Sequence, residues 1–184
     1  MNLYTIGHSN HSIEHFCRLL DQFGVMILVD VRSSPYSRFN PQFIKESLAH
    51  SLDRHNIQYL YAGKYLGGRP QDPTCYKSGI LPAEGTDYLH EVNYREVMKK
   101  PWFIKGIGDL LSVADTDLTA IMCSEEDPAE CHRHHLIARY LIAEYPEVNV
   151  RHIRGDGSDY SARQILTSVD KPVARQGSFF GEEG

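Results

Sequence analysis

The stretch 120–135, Ala-Ile-Met-Cys-Ser-Glu-Glu-Asp-Pro-Ala-Glu-Cys-His-Arg-His-His, brings together two thiols, four carboxylates, three imidazoles and a guanidinium. Cys123 closes a short apolar run, the placement of an exposed nucleophile, and cationic neighbours would favour its thiolate. Glu125, two residues on, can abstract a proton, orient a water or stabilise a developing cation, with Asp30 as its candidate partner. His8 follows a strand-like run and Gly7, so it is placed for acid–base work near neutral pH. A hydrogen bond from His8 to Asp30 that only braces two strands is the plainer alternative. Glu125, Glu126, Asp127 and Glu130 count against a reactive thiol, because negative neighbours raise its pKa and repel anions. Cys131 and His135 stand four apart, with Cys123, His8 and His11 as further donors. The set has no close Cys-x-x-Cys pair and fits few zinc patterns, so neither metal nor cofactor is expected.

A second group follows at 30–38, Asp-Val-Arg-Ser-Ser-Pro-Tyr-Ser-Arg. Arg32 and Arg38, flanked by Ser33, Ser34 and Ser37, suit a phosphate or carboxylate, and Arg133 near a helix start adds a third fork. The expected substrate is therefore anionic, held by Arg32, Ser33, Arg38, Arg133, Ser9 and Asp30, with Glu125, Cys123 and His8 as the reacting groups. The alternative for Arg32 is a pair with Asp30 or with a glutamate of the 123–130 loop, bracing the sheet edge.

These residues need elements to hold them. The run 3–6 reads as a short strand, and Ser12 caps a helix in which Ile13, Phe16, Cys17, Leu20 and Phe23 share one face, making Cys17 a core residue. The apolar run 25–29 is a strand buried on both faces. Asn40-Pro41 starts a helix with Phe43, Ile44, Leu48 and Leu52 inward, and 57–61 is the next strand. From 62 to 85 glycine, proline and polar residues give a long loop, in which Leu66-Gly-Gly-Arg69 can close over a site. Helices are predicted at 88–98 and 103–113, then strands at 118–122 and 148–153. Leu136, Ile137, Leu141 and Ile142 mark a helix after the reactive stretch. Asp127 before Pro128 caps its start, and His134 turns to its apolar face.

Alternating strands and helices predict a three-layer α/β fold, a largely parallel sheet with helices on both faces. The carboxyl ends of parallel strands share one edge, which would gather His8 and Ser9, Asp30 and Arg32, and Cys123 and Glu125. One domain is expected over 1–155. Residues 156–184 are expected as a partly disordered C-terminal extension, fraying at 177–184.

The length, 184 residues, is that of one domain able to bury its own core. A net charge of −5 gives no global attraction to nucleic acid. Four scattered cysteines and an N-terminus without a signal pattern predict free thiols in the cytoplasm. No apolar run reaches the roughly 20 residues of a membrane span.

Thr5-Ile-Gly-His-Ser9, Asp30-Val-Arg-Ser33 with Pro35, Ser37 and Arg38, Asn40-Pro41, Leu66-Gly-Gly68, Cys123-x-Glu125 and Cys131-His-Arg133 together resemble the bacterial family known as domain of unknown function 488. The resemblance runs from about residue 3 to 153 and implies a shared site in which Glu125 is the attractive catalytic carboxylate. It implies no substrate.

Two classes of function follow. The first is an enzyme acting on an anionic small molecule, a nucleotide or a nucleic-acid end, with a rhodanese-like thiol-dependent transferase as a variant. The second is a non-catalytic nucleotide or nucleic-acid binding module using the same arginines. The sequence leaves the oligomeric state open.

Overall fold

The computed structural model describes residues 1–83 and 86–169. Its strands are β1 (Asn2–Gly7), β2 (Ile27–Asp30), β3 (Gln58–Tyr61), β4 (Thr119–Cys123), β5 (Asn149–Ile153) and β6 (Asp159–Ser161). Its α-helices are α1 (Ile13–Gln22), α2 (Lys45–Asp53), α3 (Gly63–Leu66), α4 (Tyr88–Glu91), α5 (Tyr94–Val97), α6 (Pro101–Thr116), α7 (Arg139–Glu144) and α8 (Ala162–Val169). The strands form one six-stranded sheet in the order β3-β2-β4-β1-β5-β6, parallel except for the antiparallel edge strand β6. The expected α/β fold is the one observed.

Apolar continuity explains the middle of the sheet. β2 and β4 are buried at every residue, as parallel strands covered on both faces must be. Alternate side chains feed two cores. Leu28, Ala120 and Met122 pack with Phe16, Leu20, Leu48 and Leu52 of α1 and α2. Val29 and Ile121 pack with Phe103 and Ile107 of α6 and with Leu136 and Leu141 on the opposite face. Ser12 caps α1 through its hydroxyl, which accepts the His15 N–H at 3.2 Å, and Cys17 is core. All four cysteines are free and buried.

Several elements depart from the sequence pattern. The segment 88–98 is two single turns, α4 and α5, because Val92 leaves the helical region (φ −75°, ψ 132°) and buries its side chain in the core. The loop 62–85 contains α3 and a 3-10 turn, and Tyr76 bridges to Val92. Asn40 makes no side-chain cap; Pro41–Phe43 is a 3-10 turn and α2 begins at Lys45. Past residue 155, β6 extends the sheet and α8 packs Ala162 into the core. The expected fraying at 177–184 lies outside the described residues. Among the described residues no helix is long and apolar enough to cross a membrane.

A buried polar chain ties β1 to β5. The Thr5 hydroxyl lies 2.7 Å from His152 Nδ1, and His152 Nε2 lies 3.1 Å from His134 Nδ1. His134 is thus a core histidine, as its position on the helix predicted. Burial, with His134 and Arg133 nearby, pushes His152 down to about 2. Burial and His135 push His134 down to about 4. Above the ordinary histidine pKa of about 6.5 both folded and unfolded chains are neutral and nothing is lost. Below it the unfolded chain takes up protons that the folded one refuses, so stability falls with pH. By pH 5 His152 alone costs on the order of 2 kcal/mol. The thermal midpoint is expected to be flat above pH 6.5 and to fall below it, with His152→Gln flattening the acid slope; an unchanged slope would contradict the assignment.

Candidate active site

The register places Gly7 opposite Cys123 and Asp30 opposite Met122, so β1, β2 and β4 end on one edge. The connection from β2 leads to β3 on one side, and that from β4 leads to β5 on the other. A crevice opens where adjacent connections diverge in this way. There a cavity of about 720 Å³ is lined by Ser33, Arg69, Tyr94, Cys123, Glu125 and His132, among others.

At its floor four polar side chains meet. The Cys123 thiol donates to Glu125 Oε2 at 3.0 Å and lies 3.5 Å from His132 Nδ1; Cys131 Sγ is 3.9 Å from the same nitrogen. His132 Nε2 lies 3.1 Å from the Val31 carbonyl oxygen. A carbonyl can only accept, so Nε2 carries the proton and Nδ1 turns a lone pair to the two sulfurs. Cys123, Cys131 and His132 are 4%, 1% and 8% exposed, whereas Glu125 is open to the cavity. Burial raises the Glu125 pKa, but the bonds from Cys123 and Cys131 outweigh it and hold the carboxyl below its ordinary value. Tyr94 is the neighbouring hydroxyl, kept protonated mainly by burial and further by the thiols beside it.

Local conformation explains this convergence. Cys131 is extended (φ −137°, ψ 142°), following a 3-10 turn Pro128–Glu130 that Asp127 caps through the Ala129 N–H. Arg133–Ala138 is then a π-helical turn leading into α7; π turns are rare and frequent at functional sites. Cys131 therefore stands outside the helix, and its spacing of four to His135 brings only a backbone bond, the His135 N–H donating to the Cys131 carbonyl at 3.1 Å, with no hydrogen bond between the two side chains. His135 Nε2 bonds the Ala129 carbonyl, and the adjacent His132 meets the thiols instead.

The arginines are placed differently from the expectation. Arg32 is 3% exposed and clamps Asp30, with Nη2 to Oδ2 at 2.6 Å, while Nη2 also donates to the Phe43 carbonyl and Nη1 to His8 Nε2. Bracing the edge occupies four of its five N–H donors, although the residue still lines the cavity. Asp30 also accepts from Tyr59 and is fully buried, so it is no partner for Glu125. His8 donates from Nδ1 to Ser9 O and stacks on Phe43 at 4.4 Å, with burial pushing it down to about 4. It sits behind Arg32 and does not line the cavity. Ser9 adopts φ 47° and its N–H bonds Ser124 O, which joins the two loops. Arg133 is fully buried and donates to the Glu125 and Glu126 carbonyls, shaping the loop. A Cβ on Gly7 would sit 1.8 Å from that Glu125 oxygen, so only glycine fits. Arg38 is exposed and is not among the residues that line the cavity.

The guanidinium at the rim belongs to Arg69, which lies over the Tyr88 ring at 4.5 Å while its N–H bonds Ser33 Oγ at 2.9 Å. Among the described residues no carboxylate pairs with it. Of the segment 66–69, Gly68 and Arg69 line the cavity, and Tyr88, His90 and Tyr94 come with them. Sequence reasoning missed those three, because single-turn helices carry no period to read. Gly68 is pressed to His132, and a Cβ there would lie 2.7 Å from the ring. Gly68→Ala is expected to cost about 1–3 kcal/mol in urea unfolding, since His132 is pinned to Val31 and cannot swing away; a neutral effect would mean the ring is free.

A family model described as "Domain of unknown function DUF488" matches residues 12–141. No curated protein and no solved structure matches the chain.

Proposed function

The chain belongs to the domain of unknown function DUF488 family, and from its site we propose an enzyme that hydrolyses or transfers a group on a small anionic substrate. The observation that carries this reading is the Glu125 carboxylate, open to the cavity and 3.0 Å from Cys123 Sγ. A carboxylate held there by a thiol donor can take and return a proton at a substrate or a water in the cavity. Arg69 at the rim supplies the charge that selects an anionic group and keeps it near the floor. The cavity volume suits a nucleotide-sized or smaller molecule.

One observation favours a second, thiol-dependent reading. Cys123 Sγ is 3.5 Å from His132 Nδ1, within reach of a base that could generate a nucleophilic thiolate. Cys123→Ser bears on the choice, since turnover that survives in the serine variant rules out attack by sulfur.

The test is a panel of inorganic phosphate, nucleoside phosphates and sugar phosphates, screened by thermal shift and then for turnover. At least one compound is expected to raise the melting midpoint. Arg69→Ala is expected to weaken its binding about tenfold, the loss of one charge-assisted contact worth roughly 1.5 kcal/mol. A ligand that binds but is never converted would leave a binding module, and no ligand across the panel would sink the anion reading.

A further inference from the structure

We propose that Cys123, Cys131 and His132 form a binding site for one soft divalent metal ion, zinc in the first instance. The three donor atoms lie within 4.8 Å of one another. Zinc bonds of about 2.3 Å to sulfur and 2.0–2.1 Å to nitrogen, at tetrahedral angles, set sulfur and nitrogen about 3.5 Å apart and the two sulfurs about 3.8 Å apart. The observed separations from Nδ1, 3.5 Å and 3.9 Å, already approximate that shell.

The surroundings supply what a metal ligand set requires. The tautomer of His132 is fixed by the Val31 carbonyl, the outer bond that orients a ligating imidazole and directs its other nitrogen to the ion. Cys131 Sγ accepts the Arg133 backbone N–H at 3.4 Å, a contact that favours thiolate. Each donor is carried by a different kind of constraint: a strand end for Cys123, an extended residue for Cys131 and the start of the π turn for His132. Thiolate and imidazole select zinc over magnesium or calcium, which prefer oxygen.

Charge balances as well. Binding releases the two thiol protons to solvent, giving up the bond Cys123 donates to Glu125, and two thiolates with a neutral imidazole offset the dication. The resulting neutral complex suits a cluster this buried, where two bare thiolates would not. Three protein donors leave the fourth ligand to come from the cavity, where Glu125 stands. This donor set, with a glutamate that is not itself a ligand, is one that catalytic zinc uses. The metal site does not depend on the enzyme reading, but a role for the ion in proton transfer with Glu125 does.

The full chain, purified under reductant and without chelator, tests the site. About one zinc per chain is expected, with X-ray absorption of the zinc-loaded wild type reporting two sulfur neighbours and at least one nitrogen. Cobalt in its place should give thiolate-to-metal charge-transfer absorption. Cys123→Ser, Cys131→Ser and His132→Ala should each weaken zinc binding by ~100-fold or more, whereas Cys17→Ser and Glu125→Gln should retain it. Absence of zinc binding by the reduced wild type, a shell with fewer than two sulfurs, or a Cys123–Cys131 disulfide in freshly purified reduced protein would overturn the proposal without recourse to variants. Zinc bound but no panel compound converted would remove the enzyme reading alone; turnover by zinc-free protein would remove the metal's role in it.

Discussion

Glu125→Gln is expected to reduce turnover by about 10²–10⁴-fold, the usual contribution of a positioned acid–base group. Glutamine keeps the shape of the side chain and an oxygen able to accept from the Cys123 thiol at the present 3.0 Å. It cannot take a proton. Substrate affinity should therefore be nearly unchanged, because Arg69 and the cavity walls are untouched, and the loss should fall on kcat rather than KM. Stability should stay within about 0.5 kcal/mol of wild type, since Glu125 is exposed and its backbone carbonyl, held by Arg133, does not change. Steady-state kinetics on whichever panel compound is converted, beside a urea melt, checks both halves. Turnover surviving in the glutamine variant would move the chemistry to Cys123. A loss of binding equal to the loss of turnover would make Glu125 a contact rather than a proton carrier.

Asp30→Asn is expected to cost about 3–5 kcal/mol of stability, the range seen when one member of a buried ion pair is removed. Asp30 is completely buried and takes bonds from the Arg32 backbone, the Arg32 guanidinium and the Tyr59 hydroxyl. The amide would leave the Arg32 cation buried without its counter-charge and turn a donor toward groups that themselves donate. Against a total of roughly 5–15 kcal/mol for a protein, this is a large share. A midpoint lowered by on the order of 10 °C is the corresponding thermal readout. A cost under 1 kcal/mol would mean that the pair is solvated, and Arg32 would return as a candidate for the anion. Because Arg32 also bonds the Phe43 carbonyl and His8, the edge between β1 and β2 should loosen with it, seen as faster amide exchange there.

Local physics was legible in the chain. The apolar runs of β2 and β4 could only be strands covered on both faces, the Ser12 hydroxyl could cap α1, Cys17 fell on an apolar face, and Asp127 with Pro128 could cap a start, which is that of a 3-10 turn rather than of the helix expected there. These features depend on neighbours within a few residues, so residue type and period suffice. Parallel pairing then required the ends of β1, β2 and β4 to share an edge, and the register bears this out. His134 was assigned to the core for the same reason: its face of the helix was apolar.

What only the tertiary structure decided is which distant group each long polar side chain meets. Arg32 and Arg133 read as anion binders by type, but one spends its donors on Asp30, Phe43 and His8 and the other on two loop carbonyls. Cys131 and His135 matched a helical spacing, but beside an extended residue and a π turn only their backbones bond, and the His135 ring goes to Ala129 instead. His132 acquired its tautomer from Val31, 101 residues away, and Arg69 reached the rim through a loop with no period. The sequence by itself therefore determined an α/β sheet with a reactive edge. Long-range packing chose, from a surplus of thiols, carboxylates, imidazoles and guanidiniums, the few that face one another across the cavity.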